Sequence, residues 1–230
     1  MTTETNGPGV SVVKKVYGGS ATDTYVEFMK DYVSKISQES RDAYAELFRQ
    51  LALEPGQRVL EVGVGTGRNI HRYPDNISLT GVDLTPEMLE MARKRAQELG
   101  RNVNLIAQNA TSLPFKDDSF DAVVSTYTLC VTEDPGEVLN EMIRVCRPGG
   151  RVGLYDCRRA TSNTFILQSQ EWLAEVTRTV GLIFEGRQAV VYNILSPLDN
   201  LVERSGLKVI DKRIMEHAAI ECLGMYVMEK

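Results

Sequence analysis

The chain has 230 residues, of which 43% are hydrophobic and 25% charged, and it carries a formal net charge of −5. These values predict one globular domain with a sizeable core, and the acidic balance argues against general binding of nucleic acids. The four cysteines form no Cys-x-x-Cys pair and only two histidines are present, so we expect no metal site. The wide spacing of the cysteines favours a reducing, cytoplasmic setting, and we expect neither a signal peptide nor a membrane-spanning segment.

The N-terminal part of the chain shows the weakest patterns. Residues 1–9 are polar and are predicted to form a disordered tail, and residues 10–52 are predicted to form an N-terminal helical lid. From residue 40 onwards, apolar residues recur at three- and four-residue steps, which predicts a helix. They are Tyr44, Leu47, Phe48 and Leu51.

Residues 53–230 are predicted to form the main domain, in which strands and helices alternate. Apolar runs bounded by turn residues predict seven strands. They cover residues 58–62, 77–83, 103–107, 120–125, 151–156, 207–214 and 224–228. Thr85 and Asp134 each precede a proline and are predicted to cap helices, with Glu137 completing the second cap. This alternation predicts a mainly parallel sheet with helices on both faces.

Two further segments are predicted from local signals. A short helix is expected at residues 68–73, and Arg147-Pro148-Gly149-Gly150 is expected to form a turn before the fifth strand. Residues 157–190 interrupt the alternation and are predicted to form an insertion that contributes to a lid. By location alone, Arg158, Trp172 and Tyr192 are candidate pocket residues.

Glycines follow the first predicted strand, in the run Glu61-Val62-Gly63-Val64-Gly65-Thr66-Gly67. Asp83 ends the second predicted strand, twenty residues after Gly63. A nucleoside ligand needs this arrangement, because glycines let the backbone approach it and a carboxylate on the neighbouring strand accepts hydrogen bonds from ribose hydroxyls. The spacing is Gly-x-Gly-x-Gly, which differs from the Gly-x-Gly-x-x-Gly of dinucleotide-binding proteins.

Three more motifs follow in order, and together with the glycine run they point to a family. They are Asn109-Ala110-Thr111-Ser112-Leu113-Pro114-Phe115, Phe120-Asp121-Ala122-Val123-Val124 and Arg147-Pro148-Gly149-Gly150. Over roughly residues 53–153, the sequence resembles the class I S-adenosylmethionine-dependent methyltransferases. It is similar in particular to the ubiquinone and menaquinone C-methyltransferases and to the soluble bacterial phosphatidylethanolamine N-methyltransferases. The resemblance implies a Rossmann-like, seven-stranded α/β sheet under a lid formed by the N-terminal segment and residues 157–190.

The resemblance also implies that S-adenosylmethionine is the cofactor, and it assigns roles to residues. Asp83 would bind the ribose, Glu61 would order the turn and contact the methionine amino group, and Asn109 would face the adenine without the charge of the aspartate in many relatives. Tyr17 or Tyr25 would border the sulfonium, where an aromatic face contributes roughly 0.5–2 kcal/mol. Met88 would pack on the adenine or belong to the core. The predicted cofactor contacts are Tyr17, Tyr25, Glu61, Gly63, Gly65, Thr66, Gly67, Asp83, Leu84, Met88, Asn109, Ala110, Thr111, Ser125 and Thr126.

The acceptor is the least determined part of the prediction. The run Thr126-Tyr127-Thr128-Leu129-Cys130 lacks the Asn/Asp-Pro-Pro-Tyr/Phe signature of amino-methyltransferases that act on nucleic acids and proteins, so no nucleic-acid partner is expected. We predict in-line transfer of a methyl group to a small molecule, without naming a base. The candidates for a catalytic role are Tyr17, Tyr25, Tyr127 and His217.

Three acceptor classes stay open: a natural-product or quinone-type scaffold, a lipid headgroup amine such as that of phosphatidylethanolamine at a membrane surface, and a small amine or thiol. A non-catalytic protein that only binds the cofactor is the alternative from another class. The sequence does not determine the oligomeric state.

Overall fold

The computed structural model describes residues 34–132, 134–161, 164–171, 197–218 and 221–230, together with residues 27 and 31. These residues form seven strands. The strands are β1 (Arg58–Val62), β2 (Ser78–Asp83), β3 (Val103–Ala107), β4 (Phe120–Thr126), β5 (Cys146–Cys157), β6 (Lys208–Ala218) and β7 (Glu221–Glu229). They make one sheet in the order β3-β2-β1-β4-β5-β7-β6.

The first five strands are parallel. β1 pairs with both β2 and β4, and the parallel ladder continues outward to β3 and β5. β7 lies between β5 and β6 and is antiparallel to both. The strand order reverses at β1 and β4, and open α/β sheets bind their ligands beyond the carboxyl ends of the strands at such a switch point.

Four helices cover the sheet among the described residues. They are α1 (Gln38–Gln50), α2 (Pro86–Glu98), α3 (Pro135–Val145) and α4 (Leu198–Arg204). Residues 164–171 are also helical, and single 3-10 turns occur at Ile70–Arg72 and Leu129–Val131. Asp134 caps α3 by accepting the Glu137 N–H at 2.9 Å, which confirms the predicted helix start.

Alternate residues of β5 pack against opposite helix layers, as expected for a strand that is buried on both faces. Leu154 lies in a core with Met142 of α3, whereas Tyr155 lies in a core with Leu47 of α1. Gly153 lets α1 approach the sheet closely, because a Cβ there would lie only 3.0 Å from the Leu47 side chain. Residues 38–50 of the predicted lid segment therefore form part of a helix layer of the sheet.

Several predicted regions lie outside the described residues. These are the tail at residues 1–9, the N-terminal part of the lid apart from residues 27 and 31, and most of the insertion at residues 157–190. The same holds for four of the predicted site or pocket residues, Tyr17, Tyr25, Trp172 and Tyr192. Their roles stay predictions.

The predicted α/β fold is confirmed, and β1 and β3 have the predicted bounds. The predicted helix at residues 68–73 is wrong, since only Ile70–Arg72 forms a single 3-10 turn. The reason lies in Pro74, which disfavours helical backbone in the residue before it. Tyr73 is accordingly extended, with φ −83° and ψ 143°.

The fifth strand also begins earlier than predicted. Cys146 already pairs with Phe120, five residues before the expected start at residue 151. The Arg147-Pro148-Gly149-Gly150 motif then forms an irregularity in the ladder, between Phe120 and Ala122 of the partner strand. The motif therefore lies inside β5 and does not form a separate turn before it.

Candidate functional site

The glycine run forms a tight turn directly after β1. Gly63, Gly65 and Gly67 all have positive φ, at +74°, +52° and +73°. A Cβ on Gly63 would lie 2.0 Å from Thr128 Oγ1, so only glycine fits between the end of β1 and the segment after β4. A Cβ on Gly65 would meet no atom within 4 Å, which leaves the backbone open on that side.

Asp83 connects the end of β2 to this turn. Its Oδ2 accepts the Gly65 N–H at 2.9 Å, and its Oδ1 accepts the Thr85 N–H at 2.9 Å. Burial raises the pKa of Asp83, and the hydrogen bonds from Thr85 and Gly65 oppose that effect. A carboxylate offers about four acceptor positions, so these two bonds do not exhaust the acceptor capacity of Asp83. Thr85 occupies the predicted cap position of α2, but its side chain makes no capping bond there.

Glu61 is the other acid of the turn, and it is 1% exposed. Its Oε1 accepts a hydrogen bond from Asn69 Nδ2 at 2.6 Å, whereas its Oε2 has no hydrogen-bond partner among the described residues. Burial raises the pKa of Glu61 to about 7, against the opposing effects of Asn69 and the nearby Tyr73 hydroxyl. A buried carboxylate oxygen without a donor is costly and is the kind of atom that a ligand donor satisfies.

Asn69 links this acid to α1 and to the end of β4. It accepts the Tyr44 hydroxyl at 2.6 Å and donates to Thr126 Oγ1 at 3.1 Å as well as to Glu61. All four side chains of this network are at most 9% exposed. Arg72 lies over the Tyr44 ring, with its Cζ 4.9 Å from the ring centroid. Neither Tyr44 nor Asn69 was predicted as a site residue, and the position of Asn69 shortly after the glycine run was the only signal for it.

The predicted adenine turn lies beside Asp83. The Gln108 N–H donates to the Asp83 carbonyl at 2.9 Å, which holds the segment after β3 against the end of β2. Asn109 Oδ1 accepts the Thr111 N–H at 3.1 Å, so this side chain shapes its own turn. Met88 is 3% exposed on α2 and belongs to the buried residues. The other three predicted contacts here are half-buried, namely Leu84, Ala110 and Thr111.

The end of β4 contributes polar groups and an unusual backbone. Ser125 is fully buried, and its Oγ has no hydrogen-bond partner among the described residues. Tyr127 has φ +53°, a left-handed conformation that costs energy for an aromatic residue and is often found at functional sites. Its ring lies 5.3 Å from that of Tyr155 and 6.2 Å from that of Tyr44. Tyr127 therefore joins a tyrosine cluster next to the network around Asn69.

The second described catalytic candidate, His217, lies elsewhere. It lies within β6, which extends beyond the strand predicted at residues 207–214. Its Nε2 is 3.0 Å from Glu39 Oε2 of α1. β5 and β7 separate β6 from β4, which amounts to three strand spacings, or about 14 Å. His217 is therefore not brought together with the residues of the glycine turn.

Arg158, a candidate pocket residue, is also occupied elsewhere. Its side chain is 2% exposed and pairs with Asp199 at 2.5 Å and with Glu216. Tyr226 donates to the same aspartate at 2.6 Å. These contacts tie the end of β5 to α4 and β6, which is a structural role.

Within the described part of the chain, one group of side chains has ligand atoms close enough to hold a metal ion. It comprises Cys130, Asp156 and Cys157. The described residues contain no helix long and apolar enough to cross a membrane.

Comparison with known proteins finds a family match over part of the chain. Residues 60–154 match a family model described as a methyltransferase domain. Phosphatidylethanolamine N-methyltransferase of Cereibacter sphaeroides is 43% identical over 99 residues, which cover 42% of this chain and 49% of that protein. Demethylmenaquinone methyltransferase of Renibacterium salmoninarum is 36% identical over 120 residues, covering 52% of this chain and 49% of that protein.

A solved structure shows the same fold over more of the chain. The structure of a SAM-dependent methyltransferase from Aquifex aeolicus matches 80% of this chain and 88% of its own, with a TM-score of 0.55 and 20% identity. The present chain spans about half the length of the two curated relatives just described. The motif resemblance, the family match and the fold agree, and residues 60–154 match a methyltransferase domain.

Proposed function

We propose that this protein transfers a methyl group from S-adenosylmethionine to a small-molecule acceptor. The observation that carries the proposal is the pair of acids at the glycine turn. Asp83 is bonded to the Gly65 backbone, and Glu61 is buried with an Oε2 that has no hydrogen-bond partner among the described residues. S-adenosylmethionine carries ribose hydroxyls and an ammonium group, which are donors of the kind that these carboxylates accept. The acceptor groups of this turn therefore fit the donors of the cofactor.

In this proposal each element at the carboxyl edge of the sheet holds one part of the cofactor. Asp83 accepts hydrogen bonds from the ribose, and the open backbone at Gly65 allows close approach. The turn at 109–111 and the apolar side chain of Leu84 flank the base. Glu61 accepts from the ammonium group, and Asn69 fixes the carboxylate in position through its 2.6 Å bond to Oε1.

The chemistry needs little from the protein beyond alignment. When bound, the cofactor supplies an electrophilic methyl group on a sulfonium, with a neutral thioether as the leaving group. The protein's share is to orient the acceptor and to exclude water, and proximity effects of this kind account for roughly 7–11 kcal/mol of a barrier. Tyr127, with its left-handed backbone at the end of β4, is the described candidate that adjoins this region. We assign no catalytic base.

For the acceptor, a quinone-type or similar small scaffold is our first proposal. A phospholipid headgroup amine is the second, and the 43% identity to a phosphatidylethanolamine N-methyltransferase favours it specifically. We also propose a cytoplasmic setting, which the four free cysteines support. Since the matched regions of the two relatives cover about half of this chain, neither relative decides the acceptor.

Two measurements test the proposal in sequence. Calorimetric titration with S-adenosylmethionine and S-adenosylhomocysteine should show saturable binding, and saturable binding of NAD in their place would refute the cofactor. Release of S-adenosylhomocysteine is then measured with three acceptor classes: a demethylated quinone, vesicles containing phosphatidylethanolamine, and small amines and thiols. Turnover with one class identifies the acceptor. Tight cofactor binding without turnover across the whole panel would instead support the non-catalytic scaffold.

A further inference from the structure

Two cysteines meet at the carboxyl edge of the sheet, where the neighbouring strands β4 and β5 end. Cys130 lies in the 3-10 turn after β4, and Cys157 is the last residue of β5. Their sulfur atoms and a carboxylate oxygen of Asp156 lie within 4.8 Å of one another. Cys130 is 8% exposed, whereas Cys157 is partly exposed. A disulfide needs sulfurs about 2.05 Å apart, so the bridge requires the two side chains to rotate about χ1 and bring the sulfurs closer together.

Asp156 holds the two cysteines in this arrangement through their backbones. Its Oδ1 accepts the N–H of Cys130 at 3.2 Å and that of Cys157 at 2.8 Å, so a single oxygen atom fixes both backbones side by side. Its Oδ2 accepts the N–H groups of Thr128 and Leu129 at 2.9 and 2.8 Å. The fully buried Asp156 side chain thus accepts four backbone N–H groups and holds the turn after β4 in place. The two thiols are the reactive groups of the cluster.

We propose that Cys130 and Cys157 form a reversible dithiol–disulfide site, with a peroxide as the oxidant. Disulfides in reducing compartments are usually transient and serve redox sensing, which suits a pair at the edge of a binding site. The proposal concerns the modification of this chain and goes beyond methyl transfer.

The environments of the two thiols set the order of the steps. Hydrogen bonding to Cys157 and burial raise the pKa of Cys130 well above the usual range of a thiol, which disfavours its thiolate form. Cys157, the more exposed of the two, is then the thiol that the oxidant reaches first. Its thiolate attacks one peroxide oxygen, the O–O bond breaks, and the products are a sulfenic acid on Cys157 and a hydroxide that takes up a proton.

The second step closes the bridge. The Cys130 sulfur attacks the Cys157 sulfur, the S–O bond breaks, and the hydroxyl group leaves as water with the proton of Cys130. In total, two thiols lose two electrons and one hydrogen peroxide is reduced to two waters. The bridge would fix the turn after β4 to the end of β5. Thr128 of the same segment packs against Gly63, so the bridge would also bear on the glycine turn.

Peptide mapping of the wild-type protein tests the proposal without any variant. The fully reduced protein is treated with hydrogen peroxide, its remaining thiols are alkylated in denaturant, and its peptides are identified by mass spectrometry. We expect the four free thiols to fall to two, with one bridge between Cys130 and Cys157 that dithiothreitol reverses. Four unchanged thiols, or a bridge between Cys157 and Cys222, would overturn the proposal.

Two variants sharpen the assignment of roles. Cys130→Ser should prevent the bridge and leave a sulfenic acid on Cys157 that dimedone labels. Cys146→Ser is the matched control, because Cys146 is also buried but lies at the opposite end of β5, and this variant should form the bridge as the wild type does. Loss of the bridge in Cys146→Ser, or dimedone labelling of Cys130 in Cys157→Ser, would contradict the assignment. These readouts need no cofactor or acceptor, so their failure is distinguishable from failure of the proposed methyl transfer.

Discussion

Glu61→Gln should stabilise the ligand-free protein at pH 8 while weakening its binding of S-adenosylhomocysteine. Glu61 is 1% exposed, and burial raises its pKa from 4.5 to about 7. A carboxyl group whose pKa is raised on folding stabilises the folded state fully only below its unfolded pKa. That stabilisation is lost as the pH rises through the folded pKa, here between about pH 4.5 and 7.

The size of the effect follows from these two pKa values. Keeping this carboxylate buried at pH 8 costs the folded protein about 3 kcal/mol, and at pH 5 the cost is about 1 kcal/mol. Glutamine has no charge to bury, and its side-chain oxygen can still accept the bond from Asn69. At pH 8 the variant should therefore be more stable by about 3 kcal/mol, which for a chain of this size raises Tm by about 6–12 °C.

Urea denaturation of both proteins at pH 5 and pH 8, without ligand, measures this difference. Calorimetric titration with S-adenosylhomocysteine at pH 8 measures the cost to binding, expected to be at least tenfold because a charged hydrogen bond is worth about 1.5–3 kcal/mol. Glu141→Gln is a control of opposite sign, because hydrogen bonding to Arg144 lowers the pKa of Glu141 and its charge stabilises the fold. An equal increase in the unfolding free energy of Glu61→Gln at both pH values, or an unchanged affinity for S-adenosylhomocysteine, would refute the reasoning.

Three further substitutions probe the same site. Asp83→Asn should lower the affinity for S-adenosylhomocysteine by at least roughly tenfold in calorimetric titration, because the ribose loses a charged acceptor. Gly63→Ala should lower the unfolding free energy by more than about 1 kcal/mol in urea, since its Cβ would lie 2.0 Å from Thr128 Oγ1. Tyr44→Phe should cost about 1–3 kcal/mol of stability and also weaken ligand binding, because Asn69 Oδ1 loses its 2.6 Å donor.

Two matched variants separate these effects from general disturbance. Gly56→Ala introduces the same left-handed strain, at φ +83°, but its Cβ would meet no atom within 4 Å. If Gly56→Ala lowers the unfolding free energy as much as Gly63→Ala does, the contact with Thr128 makes no contribution to the destabilisation. Tyr155→Phe removes a hydroxyl that donates to the Ser40 carbonyl at 2.9 Å, so it should reduce stability without changing ligand affinity. An affinity loss equal to that of Tyr44→Phe would contradict the role of the Asn69 network.

The sequence predicted those parts of the structure that depend on residues close to one another along the chain. Apolar runs bounded by turn residues placed β1 and β3 at their observed bounds, because short strands of this kind are recognisable from their own residues. The link between Asp83 and the glycine turn was also predictable. Both follow adjacent parallel strands, and the carboxyl ends of such strands meet at one edge. The error at residues 68–73 overlooked the local effect of Pro74, whereas the early start of β5 depends on the pairing of Cys146 with Phe120, which no local signal shows.

The parts that the sequence could not give are the contacts that hold the acids in place. Asn69 bonds Glu61 across eight residues, but its other partners, Tyr44 and Thr126, lie 25 and 57 residues away. No periodic pattern encodes such a contact, because it exists only when α1 is packed on the sheet and β4 lies beside β1. The same holds for Asp156, whose partners at 128–130 lie 26 to 28 residues away. Sequence motifs thus predict the residues that contact a ligand. The side chains that hold those residues in place cannot be predicted in this way, because they come from distant segments that meet only in the folded protein. Substitution of these supporting residues, such as Tyr44 and Asn69, therefore tests directly whether packing outside the motifs controls ligand binding at the site.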